Sequence, residues 1–345
     1  MGFPIHFTGP VRYKVRSALN LCSPVLRACV RRVIRGPRLP RWNWFVEVAT
    51  EVLKKRIVTV SDFTDAKDAR RYLDSALLTL PELAKVNVSQ VAQSKFQGSW
   101  FTCKKTDSSV TLLYFHGGGY SFYPSAYRNF IALVTLATQC KTFALDYSLS
   151  PEHRFPTQLE EALNAYRWLL ENGTDPAALV VAGDSAGGNL TLVTLLALRD
   201  LKLPLPALAV ALSPPTDFVA EYDSMTRNED FDWLERRMLG HWADWYCDLD
   251  QRQNPLVSPF RADLRGLSPI YIQAGQAELL FDSIQAFADG AKRQGADVVL
   301  ESWDDMNHVF QIFGNYSPHS KQALQRLCQV MHAKVAVREK KTVSV

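Results

Sequence analysis

The sequence predicts an α/β fold: a mainly parallel sheet, helices on both faces, and a helical cap. Three observations carry this. Short, near-continuous apolar runs recur at 110–115, 141–147, 179–182, 208–212 and 270–273, as expected of strands covered on both faces. Helical periodicity lies between them. It is clearest at 157–172, where Leu159, Ala162, Leu163, Tyr166, Leu169 and Leu170 share a face and Gly173 follows. Such alternation implies parallel pairing. Finally, residues 1–80 and 217–255 lack any strand pattern. The chain then divides into an N-terminal helical cap segment (1–80), a core in two pieces (81–216 and 256–337), a helical cap insertion (217–255) and a tail (338–345).

Residues 1–80 are mostly helical in pattern. Trp42, Trp44, Phe45, Val48, Val52 and Leu53 form a stripe ending in Lys54-Lys55-Arg56, and a second helix-like stretch covers 66–80. Residues 86–91 and 99–103 alternate like a half-exposed ladder, with a polar turn at 106–109. A helix is expected at 126–137. The insertion is rich in charge and tryptophan (Trp233, Trp242, Trp245). A helix at 282–294, a strand at 298–302 and a last helix at 321–335 follow. The remaining tail is polar and expected to fray.

Charge is unevenly placed. No acidic residue precedes Glu47, whereas Arg12, Lys14, Arg16, Arg27, Arg31, Arg32, Arg35, Arg38 and Arg41 are all basic. Val15, Leu19, Leu21, Val25, Leu26, Val30, Val33 and Ile34 interleave with them. Pro24 and Arg27 break the run, which is too short and too charged to span a bilayer. It lacks the pattern of a secretory signal. Two uses fit: a helix lying on an anionic membrane surface, or a cap helix with a solvated basic face. No nucleic-acid-binding motif accompanies the charge. Six scattered cysteines without a C-x-x-C pair suggest neither a disulfide framework nor a metal site. The expected location is cytoplasmic, with peripheral contact to an internal membrane as the one membrane role open to it. Oligomeric state is left open, a dimer included.

The chemistry gathers around Ser185. Val180-Val181-Ala182 ends in Gly183-Asp184-Ser185-Ala186-Gly187, after which Leu190, Val193, Leu196 and Leu198 take helical spacing. That is a strand, a tight turn and a helix with a hydroxyl at the apex, the G-x-S-x-G spacing of a nucleophile elbow. A serine needs a base, and the base needs a group to orient it. It also needs donors for an oxyanion. His116-Gly117-Gly118-Gly119 follows an apolar strand and can supply them. We assign the N–H groups of Gly117, Gly118 and Ala186 to that hole. Neither a Gly-Lys-Ser/Thr nor a helix-opening G-x-G-x-x-G is present, which argues against a phosphate loop. Among seven histidines, His308 follows the last strand, in the chain order Ser, acid, His. His153, just after a strand, is its rival, and His116 belongs to the glycine loop. The acid lies in 275–282. Glu278 stands directly past a strand end, and the alternative, Asp282, has the look of a helix N-cap.

These residues resemble the α/β-hydrolase fold and, within it, the hormone-sensitive lipase-like esterases, over roughly 86–313. The resemblance rests on His116-Gly117-Gly118-Gly119, Asp146-Tyr147-Ser148-Leu149-Ser150-Pro151-Glu152, Gly183-Asp184-Ser185-Ala186-Gly187-Gly188 and Asn307-His308-Val309-Phe310. It implies a Ser185–Glu278–His308 carboxylic-ester hydrolase working without cofactor or metal on a small-molecule ester. The family's acid is usually Asp, where this chain has Glu278. The arginine usual in the family's Tyr-Arg-Leu-Ala-Pro-Glu motif is Ser148 here. The basic N-terminus and texture are also similar to fungal esterases that remove acetyl groups from sterols or secondary metabolites. An acyltransferase would use the same site. A ligand receptor on this scaffold would be expected to carry a damaged triad.

Overall fold

The computed structural model describes residues 5–125 and 127–342. The chain opens with β1 (Ile5–Phe7), then α1 (Val11–Arg35), α2 (Trp44–Val60), α3 (Ala66–Leu73) and β2 (Ala76–Leu78). The helix expected over 66–80 therefore stops at Leu73. Asp65 starts it by accepting the Lys67 N–H, but Ala76–Leu78 pairs antiparallel with β1, a partner some 70 residues away in sequence. Next come β3 (Val86–Ala92), β4 (Gln97–Cys103), β5 (Asp107–Phe115), α4 (Tyr127–Thr138), β6 (Cys140–Leu145) and α5 (Thr157–Glu171). The polar turn expected at 106–109 is instead partly the start of β5, with a register irregularity against β6 between Asp107 and Thr111. The elbow lies between β7 (Leu179–Asp184) and α6 (Ala186–Asp200), and β8 (Leu208–Leu212) follows.

The segment 217–255 holds only the short α7 (Ser224–Arg227) and α8 (Arg236–Tyr246) besides a 3₁₀ turn, so it is more loop than the pattern suggests. The chain closes with β9 (Ile270–Gly275), α9 (Phe281–Arg293), β10 (Val298–Trp303) and α10 (Pro318–Thr342). The polar tail is thus helical to Thr342. Residues 343–345 and Ala126, the expected first residue of α4, lie outside the described residues.

The main sheet has eight strands in the order β10-β9-β8-β7-β5-β6-β4-β3. β4 alone runs opposite to the other seven. Successive residues of β5 face opposite layers. Leu112 and Tyr114 pack with Phe130 of α4 and Leu324, Leu327 and Met331 of α10. Leu113 and Phe115 pack with Leu159 and Tyr166 of α5 and Leu190 of α6. This two-sided burial is why the strands read as continuous apolar runs. The chain leaves β5 towards β6, then returns to place β7 on the other side of β5. Strand direction of travel reverses there, and loops after β5 and β7 diverge to leave a crevice at their carboxyl ends. Phe115 pairs with Gly183 across that point, so the glycine loop and the elbow emerge side by side.

The N-terminal segment is tied to the loop after β10. Trp42 donates its indole N–H to Asp305 O (2.6 Å) and Asn307 donates its amide to Thr50 Oγ1 (2.7 Å). No described helix is long and apolar enough to cross a membrane.

Candidate active site

Ser185 is the single residue between β7 and α6, at φ 51° and ψ −122°. A non-glycine residue there is strained, and its neighbours must hold it. Its N–H donates to Leu212 O at 2.8 Å, locking the turn to the end of β8. The flanking glycines are required by close approach. A Cβ on Gly187 would overlap the Phe115 carbonyl, and one on Gly183 would overlap the Gly187 carbonyl.

Ser185 Oγ lies 2.8 Å from His308 Nε2. His308 Nδ1 lies 3.7 Å from Glu278 Oε2. Glu278 and His308 stand just past β9 and β10, and both are fully buried. The three residues named from sequence therefore lie together, Ser185 within hydrogen-bond reach of His308 and Glu278 next to the ring's other nitrogen. The alternative acid does not join them. The N-cap of α9 is Leu280, and Asp282 sits in its first turn. The Asp282 carboxylate accepts from Ser224 N–H (2.9 Å) and the Arg227 guanidinium (2.7 Å), away from His308. His153 is exposed on its loop. His116 is buried, stacked between Tyr123 and Tyr147 at 3.8 and 4.0 Å, with Nδ1 2.7 Å from Gly117 O. Burial pushes it down to about 3, which leaves it a neutral packing ring.

Burial likewise lowers His308 to about 4 and raises Glu278 to about 8. Exclusion of water causes both, because it disfavours charge on either partner. A neutral imidazole with Nδ1 towards the carboxylate side presents Nε2 to Ser185 as an acceptor. When it takes a proton, the same low-dielectric setting strengthens its attraction to the carboxylate.

Two residues that the sequence reading passed over hold this pair. Asp232, buried in the insertion, accepts from His308 N–H (3.1 Å) and Leu279 N–H (2.7 Å). It thereby ties the histidine loop to the acid loop. Burial raises it to about 6. Ser213, at φ 49°, donates its hydroxyl to Glu278 Oε2 (2.6 Å) and accepts from Val309 N–H (3.0 Å). The only sequence signal for Ser213 was its place at a strand end. Asp232 had none, since its loop has no motif.

The oxyanion assignment needs a correction. Gly117 N–H points inward and donates to Asp184 Oδ1 (3.2 Å). Asp184 also accepts from Tyr114 OH (2.7 Å) and Tyr127 OH. A buried carboxylate demands such donors, and Gly117 N–H is spent on that demand. By contrast, the N–H groups of Gly118, Gly119 and Ala186 have no protein acceptor among the described residues. Gly118 (φ 103°) and Gly119 (φ 60°) need the left-handed backbone that glycine allows. The loop is fixed from behind, with Ser121 and Phe122 N–H donating to Gly118 O (3.0 and 2.9 Å). Trp242 of α8 packs where a Gly119 side chain would stand.

The motif that lacks the family's arginine is contacted by one from another segment. Arg70 of α3 donates to both Glu152 oxygens (2.8 Å each), to Ser150 O (2.5 Å) and to Ser121 O (2.7 Å). The N-terminal segment thus braces the oxyanion loop.

A serine at a strand–helix elbow, a histidine and a carboxylate past later strands, and backbone donors at the switch point define an α/β-hydrolase. A profile of the alpha/beta hydrolase fold matches residues 112–312, and the chain belongs to this family, among its hormone-sensitive lipase-like esterases. It is 38% identical over 217 residues to an acetyl-hydrolase of Streptomyces hygroscopicus, covering 62% of this chain and 73% of the relative. It is 30% identical over 293 residues to an esterase of Acinetobacter venetianus, covering 83% and 95%. Among solved structures, EstE5 soaked with p-nitrophenyl butyrate superposes with a TM-score of 0.78 at 32% identity, covering 84% of this chain and 98% of that one. An esterase of the bacterial hormone-sensitive lipase family gives 0.73 at 33%, covering 82% and 98%. The protein is an esterase.

Proposed function

We propose that this esterase releases a short acyl group, acetate first of all, from an apolar alcohol such as a sterol or a secondary metabolite. Ser185 is the nucleophile, His308 the base, and Glu278 the carboxylate that orients it. The observation that carries the reading is Ser185 Oγ 2.8 Å from His308 Nε2, with Glu278 behind the ring.

His308 Nε2 takes the Ser185 proton as Oγ attacks the ester carbonyl carbon. The carbonyl oxygen becomes an oxyanion, and the N–H groups of Gly118, Gly119 and Ala186, which have no acceptor among the described residues, are the donors assigned to hold it. The C–O bond to the alcohol breaks, and His308 returns the proton to the leaving oxygen. Water then attacks the acyl-Ser185 carbonyl, gives a proton to His308, and the acid departs as that proton returns to Oγ. No step calls for a cofactor or metal.

The acetyl preference draws on the similarity to an acetyl-hydrolase. The apolar alcohol draws on the aromatic cap, where Phe122 stands 6.2 Å from Trp242 and 6.1 Å from Trp245 between ring centroids. A p-nitrophenyl ester series from acetate to decanoate is expected to show kcat/KM highest at acetate and falling at least about tenfold by octanoate, on the scale of a few methylenes that a pocket must accommodate or reject. An optimum at octanoate would overturn the short-acyl reading. Acetylated sterols and terpenoids then test the alcohol.

The pH profile has a defined sign. The base works only when neutral, and burial places His308 below its ordinary value near 6.5. Activity is therefore lost as pH falls, and the limb's position tells the two groups apart: a midpoint below pH 6.5 reports His308, and one near 8 reports Glu278, which burial raises. A kcat/KM on p-nitrophenyl acetate that stays flat from pH 9 to pH 4 would remove both groups from the limiting step.

A further inference from the structure

Helix α1 is amphipathic the wrong way round for a cap helix. At 3.6 residues per turn, Val15, Leu19, Leu26 and Val33 fall within about 40° of one another. They point to solvent, with Leu19 64%, Leu26 67% and Val33 76% exposed; Ile34, 73% exposed, flanks them about 60–100° round the helix. The opposite side, Tyr13, Ser17, Asn20, Pro24 and Ala28, is buried against the protein. That buried side is partly polar. Asn20 donates to Thr59 Oγ1 and Tyr72 OH, both at 2.8 Å, and Ser17 Oγ lies 2.7 Å from Ser75 Oγ. The hydrophobic effect turns the apolar stripe of a surface helix inward. Here the chain spends hydrogen bonds to turn it outward.

The charges around the stripe decide what it meets. Arg31 and Arg32 are held by the buried Glu47, and Arg16 by Asp62 at 3.0 Å. Lys14 and Arg27 have no acidic partner among the described residues and lie on opposite flanks of the stripe. No carboxylate occurs on α1. A second copy of the chain docked on this stripe would set like charges against each other. An anionic lipid surface would receive the apolar stripe and neutralise both flanks. Trp44, the first residue of α2, is 49% exposed and lies under the Arg32 guanidinium of α1 (5.0 Å); tryptophan is a residue type suited to the headgroup region.

We propose that α1 is a membrane-docking helix, lying in the plane of an anionic bilayer with Val15, Leu19, Leu26, Val33 and Ile34 among the acyl chains. The enzyme would then sit on a membrane surface without spanning it. The inference does not depend on the substrate or on the catalytic assignments.

The full chain is mixed with vesicles of phosphatidylcholine alone or with 30% phosphatidylserine and sedimented. The expected result is binding to the anionic vesicles, weakened by salt. The triple substitution Leu19→Glu, Leu26→Glu, Val33→Glu is expected to abolish it. Lys14→Gln with Arg27→Gln should weaken it about thirtyfold, at about fivefold per basic residue near an anionic surface. Both variants should keep wild-type p-nitrophenyl acetate turnover, which reports that they are folded. Wild-type protein left in the supernatant, or equal sedimentation of the triple variant, would overturn the proposal. So would a wild-type dimer, seen by light scattering, that the triple variant dissociates without any vesicle binding. That outcome would assign the stripe to a second copy.

Discussion

Ser185→Ala is expected to lower kcat on p-nitrophenyl acetate by about 10⁴–10⁶-fold, the range found when a serine hydrolase loses its nucleophile. The variant should also lose covalent labelling by a fluorophosphonate. The size of the effect follows from what remains. Without Oγ, His308 can still position a water, and Gly118, Gly119 and Ala186 can still hold an oxyanion, so some rate above the uncatalysed reaction should survive. What is lost is the intramolecular attack from an atom held 2.8 Å from its base. Stability should change little, because alanine keeps the backbone N–H bond to Leu212 O. Full turnover in Ser185→Ala would sink the assignment of the elbow.

Glu278→Gln is expected to cost about 10³–10⁴-fold in kcat, whereas Asp282→Asn should stay within about threefold of wild type. Glutamine fills the same space, so the difference is charge. A neutral amide cannot stabilise the imidazolium that forms when His308 takes the Ser185 proton. It also leaves Ser213 Oγ, now 2.6 Å from Glu278 Oε2, with a weaker acceptor. Asp282 holds Arg227 and the Ser224 N–H, so its loss should show as looser packing of α7 on α9, read by thermal melting rather than by rate. Equal effects of the two substitutions on kcat would remove Glu278 from its role.

The core of the fold was legible because its strands are buried on both faces and its helices on one, and these burials leave different periods in the sequence. The ends of the chain were less legible. Ala76–Leu78 has an apolar run that suits helix or strand, and only the distant edge of β1 selects strand. In the 217–255 insertion, charged and aromatic residues take irregular paths held by long-range bonds, such as Asp232 to His308 and Leu279. No local window contains both ends of such a bond.

By itself, the sequence picked out the serine at the elbow, the glycine loop, and the candidate acid and histidine past later strands. Close backbone approach and left-handed turns restrict those positions to particular residue types, so they leave motifs. Only the tertiary structure shows that, of two carboxylates four residues apart, Glu278 lies beside His308 while Asp282 is bonded to Ser224 and Arg227. It alone showed that Gly117 N–H is taken by Asp184, and that Arg70 of α3 binds Glu152 and the Ser121 and Ser150 carbonyls. It also turned the apolar side of α1 to solvent. Each of these depends on which groups compete for one buried donor, acceptor or surface, and that competition exists only once distant segments have met.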